Sequence, residues 1–322
     1  MNKNKLILIF TSPNDFSTND VILWIHKLSS FQVKRIFERN MEKFIFKLEI
    51  SKNSYFVFFK YIIHSLWFRK GFILNYNKAN QLEDNIKKFF LKEIFELKKT
   101  LYDCIPFSKT KVLGTNKLDF YDDIKVKTLI FAKDVGLNIP ETIISSSKKN
   151  IYDFAIKHSK IVAKPIKDPE FLQTKDYKYI YMMYTKHLNV NEILNIPNII
   201  FPCILQEYIE KIFDIRIFFI ERKFFSAIIL SQEMDQTKED FRNYQNHNSN
   251  RIISFSLPKS VEKRLVMLIN KIGLNTGSID MIMSKDGDYY FLEINPVGQF
   301  EMISKSCNYN IEKEIANYLI EK

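Results

Sequence analysis

The sequence predicts an α/β protein of more than one lobe, and three observations carry that expectation. The chain opens as strand, helix, strand. Stretches with apolar residues at helical spacing then alternate with short runs of β-branched and aromatic residues. From residue 203 onward, strands follow one another closely and end in a hairpin. A length of 322 residues is enough for two or three packed layers.

The elements are expected in the following order. Strand 5–10 ("KLILIF") leads through the turn "TSPNDFSTND" into a helix at 20–30, with Asp20 or Asn19 as its cap, and then strand 32–37. Strands near 43–50 and 54–60 follow. Apolar residues at Ile86, Phe89, Phe90, Ile94 and Leu97 predict a long helix over 81–101. Together these make an N-terminal α/β lobe with a mixed sheet. The breakers and polarity of "PFSKTKVLGT" suggest a linker at 106–115. A helix at 124–135 should end at Gly136, with Pro140 just beyond. Strand 142–145, helix 149–158 and strand 160–164 then form a small α/β unit, followed by a polar loop at 166–176 and a strand at 177–184. Strands are expected at 203–208, 214–221 and 224–231, with a helix at 258–272 that stops at Gly273. The hairpin pairs 278–284 with 289–294 across Lys-Asp-Gly-Asp, and helix 310–321 closes the chain.

Composition excludes several classes. Hydrophobic residues are 46% of the chain, with 7 Gly and 9 Pro, which argues against disorder. The formal net charge is +11, yet there is no dense Lys/Arg run and no stripe of basic and aromatic residues, so nucleic acid is not an expected partner. The most apolar window, 55–68, is short and interrupted by Lys60 and His64, which argues against a membrane span. Cys104, Cys203 and Cys307 are far apart and odd in number, as in a reducing cytoplasm, and no signal-peptide pattern precedes the first strand. A cytoplasmic protein is expected. The five histidines share no spacing, so none is assigned to catalysis.

Chemistry concentrates in "DYYFLEINPVGQFE". Glu293 and Asn295 lie two apart on a strand, so their side chains project from the same face. A carboxylate beside an amide carbonyl suits a hard cation such as Mg²⁺. A strand end that merely caps the turn opened by Asn-Pro is the alternative. Asp280, on the other arm of the hairpin, falls close to where antiparallel pairing brings Glu293 or Asn295 and would complete an oxygen trio. A Mg²⁺ seat with few protein ligands leaves room for substrate phosphates.

Four more stretches point the same way: "SKIVAKPI" with Lys164 at a strand end, "DDIKVKTLIFAKDVGLNIP" with Lys125 at a helix start, "ILQEYIEKIFDIRIFFI", and "KEDFRNYQNHNS" with Arg242 in a loop. In this order they resemble the ATP-grasp superfamily over residues 124–301. The resemblance implies an ATP-grasp fold: an N-terminal α/β lobe (1–115) ahead of central (116–190) and C-terminal (191–322) lobes that hold the nucleotide between them. It implies ATP and Mg²⁺ as cofactors. Lys125 and Lys164 would face phosphates, and Gln206, Glu207, Tyr208 and Ile209 would form the hinge that takes adenine through its backbone. Asp214 and Arg216 would lie beside the nucleotide, Arg242 would reach the phosphates, and Asp280, Glu293 and Asn295 would hold the metal. Arg216, Arg242 and Lys164 would be the catalytic cations. Arg216 would grip a substrate carboxylate or pair with Asp214 or Glu207.

"LILIFTSPNDFSTNDVILWI", the "AKPI" with no Gly-rich loop after it, and "EINPVGQFEMISKSCNYNIEKEIA" resemble more closely the peptide-modifying members, the graspetide or microviridin-type maturases of the grasp-with-spasm group. That likeness implies a ligase that phosphorylates Asp or Glu side chains of a ribosomally made precursor peptide. It then joins them to a Thr or Ser hydroxyl or a Lys amine, making macrocycles. The expected partner is a precursor with a leader and a Thr/Ser plus Asp/Glu core, without nucleic acid or membrane, and a homodimer is compatible. Two departures stand out. Ile124 precedes Lys125 where relatives often carry Asn or Asp, which leaves Lys117 as a rival, and the loop after Lys164 has no glycine to cradle phosphate. A ligase that adds glutamate to a protein C-terminus, or a non-enzymatic basic binding protein, are the competing readings.

Overall fold

The computed structural model describes residues 5–36, 46–49, 55–58, 62–69, 82–104, 110–115, 124–166, 171–173, 180–182, 186–233 and 250–321. They fall into two units. The first contains Met1–Tyr121, Gln299–Ser304 and Tyr309–Lys322, and the second Asp122–Gly298 and Lys305–Asn308.

The first unit is built on β1 (Lys5–Phe10), whose uninterrupted apolar run suits a strand covered on both faces. Leu6, Ile7, Leu8 and Ile9 are all buried. Helix α1 (Phe16–Leu28) leads to β2 (Gln32–Ile36). Strands β3 (Phe46–Glu49) and β4 (Tyr55–Phe58) pair antiparallel with each other. Next come β5 (Ile62–Phe68), α2 (Asp84–Cys104) and β6 (Lys111–Leu113). The sheet has the order β2-β1-β5-β6 and is parallel throughout. The expected mixed sheet is thus a parallel sheet and a separate antiparallel pair. Part of the expected linker is a strand, β6, because Val112 and Leu113 supply apolar surface beside β5.

Helix α1 starts earlier than expected, at Phe16, with Asp15 at its cap position. The Asp15 carboxylate does not bond helix N–H groups. It accepts from Thr11 Oγ1 at 2.8 Å and Ser17 Oγ at 2.6 Å, and Arg69 Nε lies 3.3 Å away. Asn19 instead accepts from Arg35 at 2.6 Å.

The second unit begins with α3 (Ile124–Asp134), stopped by Gly136 at φ 83°, a left-handed turn that glycine adopts without Cβ strain. Strand β7 (Thr142–Ser147), α4 (Lys148–His158), β8 (Lys160–Lys164), β9 (Phe171–Gln173), β10 (Ile180–Met182), β11 (Lys186–Asn189), α5 (Val190–Leu194) and β12 (Ile199–Glu207) follow. An antiparallel sheet of order β11-β8-β12-β7 rests on α4 and α5 through Ile151, Phe154, Ala155, Ile161, Ile193 and Leu205. Asn189 caps α5 reciprocally with Glu192, which makes so short a helix viable.

The remaining elements are β13 (Lys211–Ile220), β14 (Lys223–Ile229), β15 (Ile252–Phe255), α6 (Lys259–Ile272), β16 (Thr276–Ser284) and β17 (Tyr289–Asn295). Their sheet has the order β15-β14-β13-β16-β17 and is antiparallel. Val261, Leu265, Leu268, Ile269 and Ile272 are the buried stripe of α6. Helix α3 packs on α6 and β17, with Lys271 2.6 Å from Asp134. Helices α7 (Glu301–Ser306) and α8 (Ile311–Ile320) end the chain.

Helix α8 belongs to the first unit. His64 Nε2 lies 2.9 Å from the Ile320 carbonyl, Ser65 Oγ donates to that of Leu319 at 2.7 Å, and Tyr318 OH to that of Val112 at 3.1 Å. Among the described residues, no helix is long and apolar enough to cross a membrane.

Candidate functional site

One face of the five-stranded sheet gathers most of the chemistry. Arg216 on β13 stands opposite Asp280 on β16, which stands opposite Glu293 on β17, so the three form one row across three strands. In the next row Phe218 faces Ser278, and Ser278 faces Asn295. Alternation puts Asp214 on the same face, two residues before Arg216. The register therefore gives Glu293, rather than Asn295, as the direct neighbour of Asp280.

Turn geometry holds Asn295 in place. Its Oδ1 accepts the N–H of Val297 at 2.9 Å and of Gly298 at 3.3 Å, so the turn-capping role suggested by Asn-Pro is present. At Gly298 (φ 50°) a Cβ would sit 2.7 Å from backbone atoms of Gly277 and Ser278. Only glycine lets this turn close onto β16 and hold Asn295 at its mouth.

The charges on this face are paired. An Arg216 nitrogen lies 2.5 and 2.7 Å from the two Asp280 oxygens. Arg216 thus takes neither of the structural partners expected for it. Asp214 is held by Lys211 Nζ at 2.8 and 2.7 Å and by Ser231 Oγ at 2.5 Å, while Glu207 lies on the other sheet. Burial raises the Asp214 pKa, against the opposing pull of Lys211 and Ser231. Lys211 is a buried cation that sequence reading passed over.

The oxygen donors fit a hard cation. Asp280 and Glu293 supply carboxylates from facing positions, and Asn295 supplies an amide carbonyl from the same face. Arg216 leaves lone pairs open on the Asp280 carboxylate, and the longer of the two bonds to Asn295 Oδ1 is the one most readily given up. Buried Ser278 Oγ, opposite Asn295, has no hydrogen-bond partner and adds an oxygen to this row. Among the described residues, no three His, Cys, Asp or Glu side chains cluster as a metal site.

The antiparallel central sheet carries other residues expected from the sequence. Lys164, the last residue of β8, pairs with Ile204, and Gln206 shares that face two residues on. Gln206 is buried and its Nε2 donates to Thr142 Oγ1 at 3.1 Å. The connection 208–210 between β12 and β13 carries half-buried Tyr208 and Ile209, and it overlaps the stretch 206–209. Lys125 sits half-buried in the first turn of α3, where its carbonyl accepts from Thr128 Oγ1 at 3.0 Å. Lys117 and the loop 240–243, with Arg242, lie outside the described residues. Burial pushes the Cys203 and Cys307 thiols up, away from thiolate chemistry.

A cation-bearing strand end, the 208–210 connection and an oxygen-donor row on adjacent antiparallel strands all lie in the second unit. A family model described as a RimK-like ATP-grasp domain matches residues 122–319. The chain belongs to that family. An ATP-grasp domain binds ATP, and in this chain that domain matches residues 122–319. No curated protein matches the chain in sequence.

Solved structures match over nearly the whole length, the first unit of this ATP-grasp protein included. One is a RiPP-associated ATP-grasp ligase of Chryseobacterium gregarium in complex with ADP and a leader and core peptide. It has a TM-score of 0.78 and 23% identity, covering 98% of this chain and 95% of that one. The macrocyclase MdnC of Microcystis aeruginosa, bound with precursor peptide MdnA, also gives 0.78 and 23%, over 98% and 99%. The ATP-grasp ligase PsnB, complexed with a phosphomimetic variant of a minimal precursor, Mg and ADP, gives 0.76 and 19%, over 99% of each chain. At these identities the likeness establishes the fold.

Proposed function

We propose that this ATP-grasp protein is an ADP-forming ligase that makes macrocycles in a ribosomally produced precursor peptide. The observation that carries the reading is the extent of the structural likeness. It spans 98% of the chain, well beyond the family domain, and the proteins matched are ligases solved with leader, core or precursor peptides.

A carboxylate is a poor electrophile, because its charge repels nucleophiles and it offers no usable leaving group. In the proposed reaction an Asp or Glu side-chain oxygen of the peptide attacks the γ-phosphorus of ATP, and ADP leaves. A Thr or Ser hydroxyl, or a Lys amine, then attacks the carbonyl of the acyl phosphate. Phosphate departs with the bond electrons and the nucleophile gives up its proton. Catalysis of both steps is mainly positioning and charge neutralisation.

In this reading hinge 206–209 receives adenine, Lys125, Lys164 and Arg242 face the phosphates, and Asp214 fixes Lys211 at the start of the strand beside them. Mg²⁺, held by Asp280, Glu293 and Asn295, would supply a Lewis acid that neutralises phosphate charge. Arg216 holds the Asp280 carboxylate in the row and would grip an incoming substrate carboxylate. Exclusion of water protects the acyl phosphate.

A RimK-like family model also fits a ligase that adds glutamate to a protein C-terminus. ADP release separates the two readings. A precursor peptide with repeated Thr and Glu/Asp should stimulate ADP release without free glutamate. A strict requirement for free glutamate would instead favour C-terminal addition.

A further inference from the structure

Hinge 206–209 is fastened by side chains as well as by its strands. At Glu207 the backbone N–H donates to the Glu141 carbonyl at 3.0 Å, and Oε1 accepts the Glu141 N–H at 2.9 Å. Its other oxygen, Oε2, lies 3.3 Å from His158 Nδ1. His158 is the last residue of α4, and its side chain is only 10% exposed. Its ring leans on buried Phe154 at 4.5 Å between centroids. On the far side, Nε2 lies 3.2 Å from Glu141 Oε2 without forming a hydrogen bond. Lys157 also pairs with Glu141. The result is a chain of contacts, Lys157–Glu141–His158–Glu207, from α4 across the edge strand to the first half of the hinge.

The next residue is pinned from the opposite side. Tyr208 donates its N–H to the Lys160 carbonyl at 3.1 Å, Lys160 Nζ stands 3.9 Å over its ring, and the His187 ring meets it edge-on at 4.7 Å. Glu210, which ends the connection, is 2.7 Å from Lys285 and accepts the Lys285 N–H at 2.9 Å.

We propose that His158 is a positioning residue for nucleobase selection, holding Glu207 against the α4 side of the sheet so that the hinge backbone presents a fixed edge to the base. This rests on the reading of 206–209 as the adenine hinge. Adenine offers an N–H donor at N6 and an acceptor at N1, whereas guanine offers the reverse at O6 and N1. A backbone C=O and N–H fixed in place accept the first and oppose the second. A hinge that reads a base by backbone alone has no mobile side chain to correct its aim. Discrimination therefore depends on how firmly Glu207 and Tyr208 are held.

Calorimetric affinities for ATP, GTP and inorganic tripolyphosphate test the proposal without any peptide. For His158→Leu, affinity for ATP should fall about fivefold to tenfold and the ATP:GTP preference should shrink by a similar factor, with tripolyphosphate binding unchanged. His158→Gln, which keeps an amide donor toward Glu207, should recover most of the preference. His158→Phe, which retains the contact with Phe154, replaces the leucine variant if that one does not fold. A folded variant without either ring nitrogen that keeps the full ATP:GTP preference overturns the role of His158, as does failure of His158→Gln to restore it. Equal affinity of the unaltered protein for ATP and GTP would remove the hinge reading itself, and the proposal with it.

Discussion

Arg216 and Asp280 face each other across the β13/β16 ladder, one arginine nitrogen reaching both carboxylate oxygens at 2.5 and 2.7 Å. Both side chains are nearly buried, so each charge depends on the other. Arg216→Met should cost about 3–5 kcal/mol of stability, because it leaves a buried carboxylate without its cation. Urea unfolding with and without Mg²⁺ and ATP checks this. If Asp280 is a metal ligand, Mg²⁺-ATP should restore stability to Arg216→Met more than to the Arg216→Met/Asp280→Asn double variant. Equal restoration in the two would count against Asp280 as a ligand.

Glu293→Gln and Asn295→Ala should each reduce turnover more than about a hundredfold, since each removes an oxygen ligand that acts on the phosphate charge. They should differ in stability. Asn295→Ala also loses the bonds to Val297 and Gly298 and should cost about 1 kcal/mol, whereas Glu293→Gln should cost little. ADP release read beside denaturant midpoints separates the effects. Normal ADP release from both variants would reject the metal assignment.

Lys125→Ala and Lys164→Ala should each weaken ATP binding by roughly tenfold or more, the loss expected for one charge-assisted contact. Lys117→Ala should have far less effect if the resemblance to the family places the right lysine: Lys125 lies in the first turn of a helix that stops just before Gly136. Calorimetry with a non-hydrolysed ATP analogue measures all three. Greater damage from Lys117→Ala would mean that the wrong lysine was chosen.

Lys211→Met should destabilise the protein by about 3–5 kcal/mol near neutral pH. The sign of its pH dependence follows from Asp214. Burial raises the folded-state pKa of Asp214 above its unfolded value, and loss of Lys211 removes the main opposing influence. The folded variant then binds a proton more readily than the unfolded chain. Its stability deficit should be largest above the raised pKa and should shrink on acidification toward the unfolded aspartate range. Thermal unfolding across that window tests this, and a deficit that grows on acidification would contradict it.

Much of this was legible in the sequence where local pattern decides structure. The run Lys5–Phe10, the left-handed stop at Gly136 and the hairpin carrying Glu293 all announce themselves within a few residues. What escaped was decided by register and by distant contacts. Lys211 joins Asp214 because the β13/β16 register shifts between Lys211 and Phe213, an irregularity with no mark in the sequence. Arg216 found Asp280 across 64 residues, and Glu207 met His158 only when α4 packed beneath β12. β5 was hidden because residues 55–68 read as one apolar run without a turn residue to divide it. The return of α8 to the first unit rests on bonds spanning more than two hundred residues.

The central claim, that a peptide side-chain carboxylate is activated and joined within the same peptide, is tested most directly by intact-mass spectrometry. The substrate is a precursor peptide rich in Thr and Glu/Asp, incubated with the protein, ATP and Mg²⁺. The account predicts a product lighter by the mass of one water for each ring closed, with one ADP formed per ring. Fragmentation should show linked Thr or Lys and Glu or Asp residues. A peptide of unchanged mass despite ADP formation, or one heavier by glutamate residues, would contradict it.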